Sequence, residues 1–551
     1  MLKRSLLAQA LLSTTLVLTG CGGGSGGNTA AGGTDGIGPK DFTLSGSVSG
    51  LTGTLDLINT SNQETVSIAG NSFAFSQKLA NQAQYEINLA SAADGQQLCE
   101  VIDGTGSVKA ASVTDIEIIC RDWVAAATTL NSETAEARYP NIVRVDDALE
   151  VMWYESGVIN FLQRRAYEAD IGWEAGSTLY TVVDSYLANS HTLVANSQGE
   201  SMVAHIGAVP NRTGNYVWAS DSIDLSSGNF TDIERTSDSY AMDIDEQGHV
   251  ILVWVDTETS GEESIFYSYF DGTWGPEIEL ETNITGDARH PVVKFTGNGT
   301  AVAAWEFGEY PTDASSLKYD GVQVASFDAS KAGDKWTADT AIDTADGGCG
   351  LVRENSINIE ITEAGMPTVA WMQGDCVSGN VQHPLQVSQL VQSTWSAPIN
   401  ISVNSSSSDA KIIALAGNKI LATYNDGTKT YAQTCDLTTN TCSSATELSA
   451  EFRAIQSLAK DKNNNVMAAW IDGDDAYVNR YDAVNDEWSV MSKINTDTVG
   501  NAKVAALDGD FVVTWSENRD LSPSSSSSLK IMPLAASTNR WTVFAKEFNS
   551  Q

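Results

Sequence analysis

The chain has 551 residues, of which 42% are hydrophobic and 18% charged, a composition typical of folded globular proteins and not of disordered ones. Its 31 basic and 70 acidic residues give a formal net charge of −39, which disfavours nucleic acid as a partner of the folded body. The sequence contains no phosphate-binding GxxxxGK, no HExxH and, outside the Gly-rich run at 22–27, no GxSxG, so we expect no cofactor apart from a metal ion considered below.

The first 21 residues have the order of a secretory leader. Lys3 and Arg4 precede an apolar run too short to span a membrane, and Leu-Thr-Gly-Cys follows, ending at Cys21. This segment resembles the lipobox of bacterial lipoproteins. The resemblance implies a signal peptide over residues 1–20, acylation of Cys21 as a lipid anchor in the membrane and, with Gly22 in the next position, an outer-membrane location.

Two segments precede the main body of the chain. Residues 21–41 carry Cys21 and a Gly-rich, almost uncharged stretch, which predicts a flexible tether with a reach of roughly 25 Å. Residues 42–120 contain seven short alternating segments between Gly, Asn and Ser turns, which predicts a small Ig-like β-sandwich. The run from SGSVSGL through YEINL to Cys120 resembles the small β-sandwich modules of bacterial surface lipoproteins, and this resemblance implies a spacer.

Six cysteines remain after Cys21, and an even set in an exported chain predicts disulfides. No CxxC or Cys/His spacing favours a metal site instead. Fifteen connectivities are formally possible for six cysteines. Proximity in the sequence favours the pairs Cys99 with Cys120, Cys349 with Cys376 and Cys435 with Cys442.

One unit recurs over residues 121–551. Each copy has an extended segment, a tight turn and an apolar strand that ends near an aromatic residue, as in GDARHPVVKFTGNGTAVAAW at 286–305. A period near fifty with strands in every unit predicts a β-propeller, so the fold class is all-β. We expect eight blades, with seven as the alternative because both 121–130 and 539–548 are candidates for the strand that closes the last blade. The position that ends each second strand, here named the slot, is occupied by Trp153, Ala204, Trp254, Trp305, Trp371, Tyr424, Trp470 and Trp515.

These repeats resemble bacterial secreted β-propellers of the BNR or sialidase-like class, most closely in HPVVKFTGNGTAVAAW and GMPTVAW. The resemblance implies a propeller over about residues 130–548. Sialidases carry Asp-box turns of the form S-x-D-x-G-x-x-W, and FDGTW at 270–274 is only a fragment of one. The fold is therefore expected to transfer and sialidase activity is not.

Cations stand near the start of most inner strands when the units are aligned on the slot. Inner strands of a propeller surround its axial channel, so these side chains would ring the channel mouth and favour an acidic ligand. The alternative is that they pair with neighbouring Asp and Glu residues or point outward. The candidate anion-binding residues are Arg138, His191, Arg289, Arg353, Lys411, Arg453 and Lys503.

Two short motifs point to specific ligands, one to a carboxylate and one to a calcium ion. Arg138 in ARYP and Arg289 in ARHP resemble the Arg-Ile-Pro element of sialidases, whose Arg holds the substrate carboxylate, although both lack the Ile. Asp256, Glu258 and Ser260 alternate before a Gly as at the start of a calcium loop. Tyr267 stands where the last acidic ligand of such a loop is expected, so the match to a Ca²⁺ site is incomplete.

The modular order and the lack of a recognisable catalytic set lead to one main expectation. The protein is an envelope lipoprotein anchored in the outer membrane, and its propeller binds a ligand or an envelope protein without catalysis, an anionic glycan being one candidate. The first alternative is a glycoside hydrolase or lyase acting on acidic glycans. The second is a periplasmic envelope-assembly scaffold, and the sequence leaves the cell-surface or periplasmic orientation open.

Overall fold

All regular secondary structure in the described part of the chain is β-strand, and no described segment is a helix of the length and apolarity needed to cross a bilayer. The structure is a computed structural model. It describes residues 42–89, 97–122, 128–131, 136–156, 160–168, 172–182, 191–208, 215–221, 231–233, 239–257, 263–281, 287–308, 318–319, 321–343, 352–353, 355–374, 384–402, 410–451, 453–489, 491–495, 498–507, 510–520 and 539–548.

The first eight strands form a β-sandwich of two four-stranded sheets, where seven strands were predicted. Alternate residues of its strands are buried, as period-two patterning requires; Leu55 and Leu57 are examples. One sheet has the order β4-β1-β8-β6, with β1 and β8 parallel, and the other has the order β3-β2-β5-β7. The strands are β1 (Leu44–Ser49), β2 (Leu55–Asn59), β3 (Glu64–Ile68), β4 (Ser72–Ala74), β5 (Gln84–Leu89), β6 (Gln97–Ile102), β7 (Thr105–Ser107) and β8 (Val113–Asp122).

The described residues that follow form eight successive antiparallel sheets, here named propeller sheets 1 to 8. The first strand of each sheet is its inner strand. Sheets 1 and 2 contain β10 (Glu136–Val145), β11 (Ala148–Ser156), β12 (Asn160–Glu168), β13 (Gly172–Trp173) and β14 (Ser177–Val182), then β15 (His191–Ala195), β16 (Ser201–Ala208), β17 (Asn215–Asp221) and β18 (Thr231–Ile233). Sheets 3 and 4 contain β19 (Tyr240–Ile244), β20 (Val250–Thr257), β21 (Glu263–Phe270) and β22 (Ile278–Glu279), then β23 (Asp287–Gly297), β24 (Thr300–Gly308), β26 (Gly321–Asp328) and β27 (Thr340–Ala341).

Sheets 5 to 8 repeat this pattern, and one small sheet lies outside it. Sheets 5 and 6 contain β29 (Asn358–Ile361), β30 (Pro367–Met372), β31 (Leu385–Val391), β32 (Thr394–Trp395) and β33 (Ile399–Asn400), then β34 (Lys411–Leu415), β35 (Lys419–Asn425), β36 (Thr430–Asp436), β37 (Thr441–Cys442) and β38 (Thr446–Ser449). Sheets 7 and 8 contain β39 (Ile455–Lys460), β40 (Val466–Asp472), β41 (Asp475–Asp482), β42 (Glu487–Trp488) and β43 (Ser492–Lys493), then β44 (Thr498–Leu507), β45 (Asp510–Asp520), β46 (Asn539–Phe548) and β9 (Thr128–Thr129). A separate two-stranded sheet pairs β25 (Lys318–Tyr319) with β28 (Val352–Arg353).

The eight sheets close into a ring. Their inner strands contact one another in the order β10, β15, β19, β23, β29, β34, β39 and β44, and β44 contacts β10. The strand β9, which precedes sheet 1 in the chain, pairs with β46 of sheet 8. Of the two candidates for the closing strand, 128–129 takes that place and 539–548 forms the third strand. The protein is therefore all-β, a small β-sandwich followed by a β-propeller.

The slot tryptophans are the most deeply buried large side chains of the ring. Trp153, Trp254, Trp305, Trp371, Trp470 and Trp515 are each at most 1% exposed. Each lies in a cluster with residues of the preceding sheet: Trp254 with Met202 of sheet 2, and Trp305 with Ile251 of sheet 3. The slot tryptophans thus fill the space between adjacent sheets of the ring.

Sheet 2 differs from the predicted alignment by one residue. Val203 clusters with Met152 and Leu162 of sheet 1, whereas Ala204 clusters with Met242 of sheet 3. Since alternate residues share a face, His205 and not Ala204 occupies the slot that faces the preceding sheet. A one-residue error of this kind moves every side chain of a strand to the other face.

Two predicted disulfides are confirmed. Cys99 on β6 and Cys120 on β8 are register partners, with their Cα atoms 4.0 Å apart. Cys435 and Cys442 close the hairpin of β36 and β37, also with a Cα–Cα distance of 4.0 Å. Cys21 and the predicted pair Cys349–Cys376 lie outside the described residues.

Candidate functional site

Alternation along the inner strands decides which side chains face the channel. Met242, Val293, Ile359 and Ile412 are buried against the preceding sheet. Their neighbours on either side along the strand are half-buried and lie on the opposite face of the strand, and we assign that face to the channel. These half-buried positions are the channel-facing positions, and the slot allows them to be grouped by depth.

Three depths can be defined from the strand register. The upper level consists of the inner-strand residues that pair with the residue after the slot on the second strand, as Arg289 pairs with Glu306. The middle level lies opposite the residue that precedes the slot, as Lys411 lies opposite Thr423. The lower level lies opposite the third residue before the slot.

The upper level carries Arg138 and Arg289 at equivalent positions. In both strands the register shifts directly after the Arg, and the next residue has a positive φ, 57° for Tyr139 and 50° for His290. The shift is a β-bulge, and the Pro that ends each motif has no N–H to offer the ladder there. The sequences ARYP and ARHP thus specify a bulge at the mouth of the channel.

Arg289 and His290 belong to a charged network between sheets. The Arg289 guanidinium forms an ion pair with Glu263 of sheet 3. His290 Nδ1 lies 2.7 Å from Oε2 of Glu306, a fully buried carboxylate, and Oε1 of Glu306 accepts the N–H of Ser356 of sheet 5 at 3.3 Å. These groups join sheets 3, 4 and 5, so the Arg289 charge is already neutralised in part by the framework.

The middle level contains two cations and no acidic residue. Lys411 on β34 and Lys503 on β44 are half-buried. Burial, and after it the Lys411 ammonium, lowers the pKa of Lys503 to about 8. The eight middle-level residues are Asn141, Thr192, Ala241, Val292, Asn358, Lys411, Ser457 and Lys503.

The lower level contains a compensated charge set. Asp243, Lys294 and Glu360 stand at equivalent positions on three consecutive inner strands. Lys294 Nζ lies 3.8 Å from Oε1 of Glu360, and the carboxylates of Glu360 and then Asp243 raise the pKa of Lys294 against the effect of burial. Burial raises the pKa of Asp243, whose Oδ2 accepts the Phe295 N–H at 2.7 Å. At this depth the lysine lies between two carboxylates.

Three of the seven predicted cationic positions lie elsewhere. His191 is 9% exposed and is the register partner of His205, between sheets 1 and 2 and away from the channel. Arg353 belongs to β28, outside the inner strands. Arg453 precedes β39 and forms ion pairs with Glu451 and Asp472. The seven positions therefore do not form one ring: Arg138 and Arg289 share the upper level, and Lys411 and Lys503 share the middle level.

The predicted calcium loop is only partly described. Asp256 is buried near the end of β20, and Glu258 and Ser260 lie outside the described residues. Within the described part of the chain, no group of three or more His, Cys, Asp or Glu side chains is placed to hold a metal ion. Ca²⁺ binding at this loop stays a prediction.

Sequence reasoning missed the charge set of the lower level. Asp243, Lys294 and Glu360 each stand among apolar residues of an inner strand, so they resemble isolated surface charges in the sequence. Each of these residues pairs with the residue three positions before the slot of its own sheet. Pairing the first and second strands of each unit across the hairpin turn would therefore have placed the three charges at one depth.

Comparisons with known proteins add a description of similar folds. No family model matches the chain, and no curated protein matches it. Among solved structures, the BP39L lectin from Burkholderia pseudomallei is 11% identical, with 67% of this chain and 100% of that chain covered and a TM-score of 0.42. The polysaccharide lyase Uly1 is 9% identical, with 75% and 90% covered and a TM-score of 0.41. A Trypanosoma rangeli sialidase is 12% identical, with 62% and 58% covered and a TM-score of 0.35. These similarities are too low to indicate a function for this chain.

Proposed function

We propose that the protein is an envelope lipoprotein, anchored in the outer membrane through Cys21, whose propeller binds an acidic glycan at the channel without catalysis. The observation that carries the proposal is the placement of four cations on the inner strands, with Lys411 and Lys503 at equivalent positions of the middle level and Arg138 and Arg289 at equivalent positions of the upper level. In a chain with a net charge of −39, a surface that gathers several cations attracts an anionic ligand more strongly than the rest of the protein does.

The upper level supports the same ligand chemistry. Arg138 and Arg289 stand above the lysines at two bulges of equal geometry, although they are 151 residues apart in the chain. A guanidinium presents a planar fork of donors that suits carboxylate and sulfate groups. Together the two levels offer cations to a ligand that enters from the face where the inner strands begin.

Neutral polar groups in the wall fit a carbohydrate. Asn358 of sheet 5 lies in the ring between sheet 4, which carries Arg289, and sheet 6, which carries Lys411. Its Nδ2 donates to the carbonyl oxygens of Ser356 and Ala410, each at 3.0 Å. Asn141, Thr192 and Ser457 share its level. A few fixed polar groups in a concave wall are what orients a small ligand.

A glycan panel tests this proposal, with the purified chain assayed against neutral and acidic oligosaccharides. We expect binding to uronic-acid or sulfated glycans, and Arg138→Ala should weaken that binding by about tenfold, because one charge-assisted contact is lost. Arg144→Ala is the matched control, since Arg144 lies on the same strand β10 beyond the lower level, beside Asp147 at 3.7 Å. Equal binding of neutral and acidic glycans, or equal losses in the two variants, would contradict the proposal.

The lipid anchor is tested separately by replacing the acylated residue. Cys21→Ser should move the protein from the membrane fraction to the soluble fraction, because the acyl chains supply the membrane affinity. Immunoblotting of fractionated cells measures this change. Retention of Cys21→Ser in the membrane fraction would rule out anchoring through this cysteine.

A further inference from the structure

We infer that Tyr139 and His290, the ring residues of the two bulges, form a pair of aromatic contacts for the sugar rings of the ligand at the channel mouth. The inference rests on the proposed function and names the residues that recognise the sugar itself. Arg138 and Arg289, which directly precede them in the chain, keep the task of holding the acidic group.

The backbone at both positions has the conformation that favours glycine. Tyr139 has a φ of 57° and His290 a φ of 50°, in the left-handed region where a Cβ crowds the following carbonyl oxygen. Both lie inside strands, β10 and β23, whereas the other described non-glycine residues with a positive φ lie in turns or bends. One common type of bulge has Gly at this residue, so a large ring at both positions costs folding stability.

The register shows which residue of each bulge is the additional one. In sheet 1, Tyr139 and Pro140 lie opposite the single slot residue Trp153. The bulge of sheet 4 has the same arrangement, with His290 and Pro291 opposite its slot tryptophan. Both prolines are buried, and both ring residues are half-buried. The proline thus takes the core position of the strand, and the ring residue is the one that the bulge re-aims.

The position of each ring beside an arginine fits a sugar with an acidic group. Tyr139 directly follows Arg138, and successive Cα atoms are about 3.8 Å apart, so a sugar whose acidic group is held by Arg138 lies next to Tyr139. An aromatic side chain with a polar tip suits a sugar, which has C–H faces and hydroxyl edges. Strain that recurs at two equivalent positions of a ligand-binding face is typical of functional residues.

The ring of His290 is oriented by the framework. Its Nδ1 lies 2.7 Å from Oε2 of the fully buried Glu306, and Oε1 of Glu306 accepts the Ser356 N–H at 3.3 Å. A ring that is fixed before the ligand arrives loses little conformational entropy on binding. Because the pair with Glu306 also supports the fold, Tyr139 is the better position for a test of binding alone.

Replacement of Tyr139 by glycine separates binding from folding. Tyr139→Gly removes the ring and relieves the backbone strain, so its Tm should equal or exceed that of the wild type. Calorimetric titration of the full chain with two acidic probes, an oligogalacturonate and a heparin oligosaccharide, should show an affinity about tenfold lower than that of the wild type.

Asp146→Gly is the matched control for the backbone. Asp146 has a φ of 53° and lies in the exposed turn that directly follows β10, at the other end of the strand from Tyr139. Its replacement by glycine relieves the same kind of strain, so the Tm should again equal or exceed that of the wild type. The affinity for the acidic probes should stay unchanged.

Two further variants test the rings themselves. Tyr139→Phe keeps the ring and should bind the acidic probes within about threefold of the wild type, because the face that contacts the sugar remains. His290→Asn lacks a ring, and asparagine tolerates the left-handed conformation, so its affinity should fall about tenfold.

The outcomes distinguish the inference from the proposed function. Wild-type affinity in either Tyr139→Gly or His290→Asn would overturn the pair of contacts, and the proposed function would stand if Arg138→Ala weakens binding. A lower Tm for Tyr139→Gly than for Asp146→Gly would also overturn it, because the ring would then serve the fold. Failure of the wild type to bind either acidic probe would overturn both the inference and the proposed function.

Discussion

In sheets 1, 5 and 8, the side chain two residues after the slot tryptophan accepts a hydrogen bond from its indole N–H. The indole N–H of Trp153 donates to Glu155 at 3.1 Å, and that of Trp371 donates to Gln373 at 3.1 Å. Trp515 does the same toward Glu517 at 3.3 Å. Residues two apart lie on one face of a strand, so the acceptor is buried beside the ring it satisfies. At these three positions the buried indole N–H is therefore satisfied by a side-chain oxygen of the same strand.

A buried histidine gives the protein an acid-sensitive stability. Burial, and then the neighbouring His191, lowers the pKa of His205 to about 3, against 6.5 for an unperturbed histidine. The folded-state pKa is the lower one, so between pH 6.5 and 3 the unfolded chain binds a proton that the folded chain does not. Stability from this group is therefore complete above pH 6.5 and declines as the pH falls, by up to about 1.4 kcal/mol per pH unit.

Urea unfolding between pH 4 and 7.5 measures this effect. The variant His205→Gln should show a shallower loss of unfolding free energy below pH 6.5 than the wild type, because glutamine does not titrate. Wild type and variant with the same slope over this range would show that His205 is not the group responsible.

The hairpin turns of neighbouring sheets are linked to one another. Asp245 Oδ1 accepts the N–H groups of Gln247 and His249, each at 2.9 Å, within its own turn. Its Oδ2 accepts the N–H of Gly299, in the next turn, at 2.7 Å. Asn196 Nδ2, in the preceding turn, donates to the Asp245 carbonyl oxygen at 2.9 Å. The turns thus add polar bonds between sheets whose hydrophobic faces already pack.

Replacing Asp245 tests how much these links stabilise the ring. Asp245→Ala leaves three backbone N–H groups without their acceptor, so we expect a loss of about 2–4 kcal/mol in unfolding free energy, measured in urea. Asp436→Ala is the matched control, since Asp436 accepts the N–H groups of Thr438 and Thr439 within one exposed hairpin. Its loss should be about 1 kcal/mol or less. Equal losses in the two variants would show that the link to Gly299 is unimportant.

The sequence was informative about elements and less so about register. The recurrent slot residues predicted the strands and the ring, and the closeness of Cys435 to Cys442 predicted their disulfide. The depths of Arg138 and Arg289 in the channel could not be predicted from their sequence distance to the slot. The bulges at Tyr139 and His290 insert extra residues into the inner strands, and the alternating pattern of the sequence does not show them. Arg353 was misplaced for a related reason, since a connecting segment before β29 forms its own paired strand.

At the scale of the molecule, ring formation brings distant segments together. The strand β9 pairs with β46 more than four hundred residues later in the chain. Lys460, at the end of the inner strand of sheet 7, lies 3.4 Å from Glu363 in the turn of sheet 5. The proposed binding of a ligand by residues of several sheets requires that the inner strands converge on one channel.

Zero-length cross-linking measures that convergence directly. A carbodiimide should couple Lys460 to Glu363, 97 residues apart, because the charged groups are in contact, and mass spectrometry of the digest identifies the joined peptides. The local pair Lys429 and Glu447, 18 residues apart on adjacent strands, serves as the positive control. Both links are predicted to form. Formation of the local link without the Lys460–Glu363 link would contradict the ring, and with it the shared channel.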